Sequence, residues 1–317
     1  MTADVRGVTE APFRTIMGPL ITLWIVWGST YTGIALMVKS MPPLIGSGTR
    51  FIAASLVLGI IVLLVKGPRA FTVTWPQVRG AVFMGVTILG VAIGIVSLAV
   101  RYVPTGIAAL IVSVLPLWII LFRLRAGDRP SRLTLIGVGV GLIGLFLILI
   151  PGGTVPISGA SNTQVALWSV AIACGSFCWA FFSWRSTSYQ QPKNPLTTAV
   201  IQLATAGIFL TLVGALIGER WNFGIITQQS WAGWVFLVFA STIAYGAFVW
   251  LINNAPMSLV TTHAYVNPMV AVTLGFLILK EPISLDVVVG LSIVVGGVAL
   301  VVSGERRTRQ LLAEQPQ

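Results

Sequence analysis

Ten stretches of mainly apolar side chains run through the sequence, separated by short clusters of Pro, Gly, Asn and charge. They begin near Leu20, Leu44, Val78, Thr105, Leu133, Val165, Leu196, Trp231, Ser258 and Leu285. Each is about 20 residues long, which is the length of helix that crosses roughly 30 Å of hydrocarbon. The pattern therefore predicts ten membrane-spanning helices, an all-α polytopic membrane protein. The narrowest separations are Asn253–Met257 and Lys280–Ile283. Fusing the runs on either side of one of them would leave nine spans.

Composition agrees with the pattern and removes other classes. Of the 317 residues 56% are hydrophobic and 9% charged, and the mean hydropathy is +0.95. A water-soluble globule needs a far more charged surface. The net charge of +11 does not mark a nucleic-acid partner, because the basic residues lie between apolar runs without interleaved aromatics. Cys174 and Cys178 are four apart in one run, where a helix stacks them without disulfide geometry, and they are expected to be packing residues. Arg6 and Arg14 precede the first run as in a signal peptide. That run is too long and lacks a small-residue cleavage site, so it is expected to be a retained first helix.

Charge placement sets an expected orientation. With the N-terminus inside, fourteen of the nineteen Lys and Arg residues fall in cytoplasmic segments, four fall on the opposite face and Arg50 lies within the second span. Positive charge accumulates on the cytoplasmic side of membrane proteins. Ten spans with both termini in the cytoplasm of a bacterial-type inner membrane satisfy this, and nine would put the C-terminal arginines outside.

The sequence also repeats. A shift of 152 positions brings Pro104 onto Pro256, Pro116 onto Pro268, Pro130 onto Pro282 and Gly144 onto Gly296. A looser match sets Gly28-Ser29 over Gly175-Ser176. Five spans per half is odd, so the halves must have opposite orientations. The expected organisation is a cytoplasmic tail (1–18), a first five-helix repeat (19–150), a connecting loop (151–163), a second five-helix repeat (164–303) and a second cytoplasmic tail (304–317). Inverted repeats are a recurring transporter architecture, with the substrate site near the midplane.

WIVWGSTY over Trp24–Tyr31, the Pro43–Phe51 stretch ending Thr-Arg-Phe, VPTGIAA over Val103–Ala109 with Pro116, and AYVNP over Ala264–Pro268 followed by Leu279-Lys-Glu-Pro282 resemble the EamA-type permeases of the drug/metabolite transporter superfamily. The resemblance covers nearly the whole chain. It implies a ten-helix inverted-repeat fold that exports or exchanges amino acids or related small metabolites. One departure is Asp128-Arg129-Pro130 in the first half, with arginine at the position that matches Glu281.

All eight acidic residues fall in tails, loops or span ends under this scheme. Proton relays within membranes commonly use a buried carboxylate, so coupling through a central Asp or Glu is not expected, nor is a dedicated cation site. His263, Tyr265 and Asn267 form the densest polar cluster in any run. They act either as interhelical hydrogen-bonding glue or as a midplane site, with His263 and Asn267 sharing a helix face and Pro268 freeing a carbonyl. Arg50, about 10 Å into its span, either clamps helix ends and snorkels or pairs with a substrate carboxylate. Trp24, Trp27 and Tyr31 follow a helical stripe. Trp27 and Trp179, with Ser29 and Ser176 of the adjacent matched pairs and with Tyr245, are expected to line a substrate cavity, with plain packing as the competing reading. Trp231 and Trp234 suit an interfacial belt.

Glycines Gly137, Gly139, Gly141, Gly144, Gly290, Gly296 and Gly297 are expected to allow close helix approach, and their matched places in the two halves also suit a homodimer. No P-loop, metal constellation or acid–base set is present, so neither a cofactor nor an enzymatic activity is expected. The reading is a secondary carrier for a small neutral or zwitterionic metabolite such as an amino acid, working in the lipid bilayer as a monomer or homodimer. A channel or structural subunit is the alternative, and an intramembrane enzyme the remotest one.

Overall fold

A computed structural model describes residues 13–127, 130–149, 159–185, 188–255, 260, 263–281 and 285–313. The first rod comprises α1 (Phe13–Thr22), a π-helical turn (Leu23–Trp27) and α2 (Gly28–Met37). Next come α3 (Pro43–Lys66), α4 (Trp75–Met84), a π-helical stretch (Gly85–Val91) and α5 (Ala92–Ala99). The fourth rod is broken into α6 (Thr105–Val112) and α7 (Leu115–Arg125), and α8 (Arg132–Leu149) ends the first half. The second half holds α9 (Asn162–Arg185), α10 (Pro195–Leu216), α11 (Gln228–Asn254), α12 (His263–Leu274) with a π-helical turn (Gly275–Leu279), and α13 (Leu285–Ala313).

Seven of these rods contain stretches long and apolar enough to cross a bilayer: Arg14–Met37, Pro43–Lys66, Trp75–Ala99, Thr105–Phe122, Asn162–Arg185, Pro195–Leu216 and Gln228–Leu251. Shorter apolar stretches, Arg132–Gly144, Val266–Leu279 and Val288–Val301, stand where the fifth, ninth and tenth spans are expected. The chain is thus an all-α membrane protein. Lys280, with φ of 59°, ends the ninth rod in the left-handed region, which makes a real break of the weakest separation in the hydropathy pattern. Pro256, Pro282, Arg129 and most of the 151–163 connection lie outside the described residues.

Two helix pairs form the frame, and glycine makes both possible. On α3 and α10, a Cβ built on Gly48 would lie 2.7 Å from the Gly207 carbonyl oxygen, and one on Gly207 would lie 2.7 Å from that of Gly48. On α8 and α13, a Cβ on Gly137 would lie 2.6 Å from the Gly297 carbonyl oxygen, and one on Gly144 would lie 2.8 Å from the Val294 nitrogen. Backbones touch, so no side chain fits between them. Going from Gly207 to Gly214 on α10 leads back from Gly48 to Ile45 on α3, so that pair is antiparallel. The α8–α13 pair runs the same way, from Gly137 by Val301 to Gly144 by Val294. Second helix on second and fifth on fifth, each antiparallel, is the pairing that two oppositely oriented halves produce.

Gly137, Gly141, Gly144 and Gly297 are spent on contacts inside one chain, whereas Gly139 and Gly296 have open space around them. Cys174 is exposed on the outer side of α9 rather than packed, and Cys178 is half-buried.

Gly297→Ala pushes a methyl into the α8 backbone and is expected to cost roughly 1–3 kcal/mol, read as a lower Tm in detergent. Gly139→Ala, with open space, is expected to leave Tm unchanged or slightly raised.

Candidate functional site

Helix N-termini leave their first N–H groups without partners, and how each end is satisfied shapes the site. At the end of the bundle that carries the Gly67–Trp75 connection and residues 188–194, the caps are local. Thr74 and Gln77 form a capping box on α4, and the Asn194 side chain accepts from the Leu196 amide on α10. At the opposite end, α3 and α6 are preceded by Pro42 and Pro104, whose side chains hold no acceptor. Carboxylates from the other half of the chain fill the gap. Glu219 accepts from the amides of Leu44 (3.0 Å) and Ile45 (2.8 Å). Glu281 accepts from the amide (3.0 Å) and hydroxyl (2.7 Å) of Thr105.

Those carboxylates close one end of the bundle over a layer of buried Met37, Val38, Met41, Ala99, Val100, Val103 and Ile107. Toward the other end a cavity of about 330 Å³ opens between the halves, at the small end of the range for ligand pockets, roughly 300–1,000 Å³. Its rim is Ser183 and Gln191–Lys193, and its inner part includes Tyr31, Val96 and Ala109. Among the described residues Lys193 at the rim is its only charged side chain.

Trp27 is the centre of the lining. Its ring stacks on His263 (5.5 Å, 15°) and meets Phe248 edge-on (5.0 Å, 86°), with Trp179 at 5.9 Å and Tyr245 at 6.4 Å. Helices from both halves thus meet in one aromatic box, which such rings favour in tilted or edge-on geometry. The His263 Nδ1 lies 2.7 Å from the Val260 carbonyl oxygen, so in the neutral ring Nδ1 carries the proton and Nε2 is an acceptor. Asn267, with its amide nitrogen turned toward them, donates to the carbonyls of His263 and Trp24, both at 3.2 Å. This ties α12, next to its Pro268, to the π-helical turn of the first rod.

The structure brings Trp27, Trp179, Ser176, Tyr245, His263 and Asn267 to one cavity. Ser29 is not among them, since its hydroxyl donates to the Val26 carbonyl (2.8 Å). The π-helical turn shifts the helical phase, so Trp24 packs instead with Leu20, Leu23 and Leu251. The Tyr265 side chain lies outside the described residues. Arg50 lines an adjoining chamber rather than the cavity itself. Sequence reasoning missed Gln202, which accepts from the Tyr245 hydroxyl and donates to Gln191 (3.5 Å). It is the only amide in the run from Pro195 to Ile217, and that isolation was the available signal.

A family model for the EamA-like transporter family matches residues 17–150 and 166–303. The chain belongs to the EamA-like transporter family. It is 34% identical to the inner membrane transporter YedA of Escherichia coli (strain K12), over 92% of this chain and 91% of that one. It is 26% identical to the protein PecM of Dickeya dadantii, over 87% and 88%. A solved crystal structure shares the fold, with a TM-score of 0.66 at 18% identity, over 92% of this chain and 98% of that one. Family membership makes this EamA-like protein a transporter, not an enzyme.

In an EamA-like transporter the closed end matters as much as the cavity. Burial raises the Glu281 carboxyl above its ordinary value, against the hydrogen bonds from Thr105 and Gly106 that lower it. Opening that end would hydrate the carboxyl and return it toward the ordinary value. The closed form therefore binds a proton more readily than the opened one, and acidification from about pH 7 favours closure. Glu281→Gln, neutral like the protonated acid, is expected to remove that pH dependence and to favour closure as acidification does. Labelling of a cysteine placed at Val103 reads both effects, as a rate that stays near the low-pH value of the parent protein and no longer varies with pH.

Proposed function

We propose that this protein is a secondary carrier that exports or exchanges a small neutral or zwitterionic metabolite, of amino-acid size, by alternating access. The observation that carries this reading is the cavity around Trp27: built from both halves, apolar and amide-lined, open toward one end of the bundle and sealed at the other. A channel would need a path through the Met37–Ile107 layer, and that layer speaks against one. The reading takes all ten rods as spans in two inverted halves, with both termini in the cytoplasm of a bacterial-type inner membrane. The cavity then faces the cytoplasm, as an exporter's resting state should. Similarity to the inner membrane transporter YedA supports the location.

Within the cavity, Trp27, Trp179 and Phe248 would hold the apolar part of the cargo. His263 Nε2 and the side chains of Gln202, Ser176 and Tyr245 would order its polar groups. Asn267 serves chiefly to hold the two broken helices together. One chain completes the cavity, and the carrier would work in the bilayer as a monomer or a homodimer.

Counterflow in proteoliposomes with labelled amino acids, nucleosides and sugars tests the reading. Amino acids are expected to exchange, and saturably. His263→Ala is expected to lower the rate about tenfold or more in protein that still folds, as loss of a hydrogen bond near 1.4 kcal/mol requires. Asn267→Ala is expected to lower both rate and Tm. No counterflow of any compound would sink the carrier.

A further inference from the structure

Arg50 is 2% exposed, and none of the helices around it carries a countercharge. The sequence has no Asp or Glu between Glu10 and Asp128, nor between Asp128 and Glu219, nor between Glu219 and Glu281. Every residue of the first rod that the structure describes, and all of α3, α4, α5, α10 and α11, is therefore free of acid. Glu219 and Glu281 are held at the closed end by helix N-termini. The guanidinium donates through Nη1 to the Ser241 hydroxyl (2.7 Å) and lies 4.1 Å from the Phe51 ring centroid. Its Nε is buried with no partner. A fork that presents five N–H donors is thus mostly unspent.

Arg50 also lines a second, smaller chamber of about 40 Å³. One water needs roughly 10–15 Å³ on the same measure, so the space suits a carboxylate or a halide and little more. Thr30, Ser241 and Tyr245 are among its polar walls. Trp27, Ile93 and Tyr245 line both this chamber and the main cavity. The partition between them is therefore made of side chains, with the Trp27 and Tyr245 ring centroids 6.4 Å apart. A buried cation without an internal partner, beside a space of anion size, is what a site looks like when its countercharge arrives with a ligand.

We propose that Arg50 forms a buried anion subsite, which takes the carboxylate of the transported metabolite or, alternatively, a small inorganic anion bound alongside it. The inference rests on the carrier reading and narrows its cargo. On the carboxylate branch the acid end of the cargo passes the Trp27–Tyr245 partition while the rest stays in the aromatic box. An ammonium group is then dispensable, because among the described residues no acidic side chain lines the main cavity to receive one.

The test compares four compounds built on one carbon skeleton, an amino acid, its deaminated carboxylate, its amine and its alcohol, in chloride and in chloride-free sulfonate buffer. Counterflow of the two carboxylates in both media, with the amine and alcohol at least about tenfold slower, supports the carboxylate branch. Exchange of any member only in chloride supports the inorganic branch. On either branch Arg50→Lys, which keeps the charge and loses the planar fork, raises the half-saturating concentration of carboxylate or chloride about tenfold. Equal exchange of all four in both media, with Arg50→Lys matching the wild type, overturns the proposal.

Should no compound exchange, the carrier reading fails and binding decides the subsite. An acetate- or chloride-dependent rise in Tm of the purified protein, lost in Arg50→Lys, supports it. An equal rise in protein and variant, or none, overturns it. Ser241→Ala, which removes a partner and keeps the cation, provides a second variant if Arg50→Lys does not fold. It is expected to weaken the same anion response severalfold, and no change in that response counts against the subsite.

Discussion

Lipid tails are as apolar as leucine, so the hydrophobic effect gives helices within a bilayer no reason to associate, and close contact must do the work. The rest of this molecule depends on two such contacts, the backbone crossings of α3 with α10 and of α8 with α13. Because Gly48 meets Gly207, and Gly137 and Gly141 meet Gly297, these four helices make two rigid antiparallel pairs. The irregularities fall among the remaining helices, of which α9 and α11 run unbroken. The π-helical segments Leu23–Trp27 and Gly85–Val91, a broken rod at Ser113–Val114 and a proline within α12 lie in elements that line the cavity. Backbone irregularity at membrane depth is tolerated where it faces protein or a polar cavity, and that is where this chain puts it.

The cavity follows from that division. Pro268 weakens α12, the Leu23–Trp27 turn loosens the first rod, and Asn267 bridges the two through the carbonyls of His263 and Trp24. The same turn re-aims Trp27 away from the Trp24 stripe and onto His263, Trp179, Phe248 and Tyr245. Packing irregularity, ligand-facing aromatics and polar groups are thus one feature seen from three sides.

The hydropathy pattern made most of this architecture legible, and element starts shift by only a few residues: Val78 to Trp75, Trp231 to Gln228, Val165 to Asn162. These shifts reflect caps and polar first turns, which hydropathy does not see. Trp27, Trp179, Tyr245 and His263 could be read as a set because large aromatics and a lone histidine stand out within apolar runs. Ser29 misled, because a serine in a membrane helix can satisfy itself on the carbonyl of the preceding turn. Gly48 and Gly207 escaped notice because α3 and α10 cross at single glycines, without the dense spacing that marks Gly137, Gly141 and Gly144 on α8. The remote caps were invisible too, since Glu219 and Glu281 lie far in sequence from the prolines they compensate.

Those two caps are unequally distributed between the halves. Gly67 and Gly218 both end a second helix with positive φ, yet Pro68 follows the first and Glu219 the second. Arg129 occupies the position that matches Glu281. Both carboxylates therefore fasten the same end of the bundle, and the corresponding positions of the first half supply no equivalent. A two-state molecule built this way has different waiting times in its two states. Symmetry of fold coexists with asymmetry of dwell, and the slow step of a cycle would be the release of that fastened end. On the proposed carrier reading, such a molecule would wait mostly with its cavity open at the unfastened end, where its readiness rather than its affinity sets how often it is loaded.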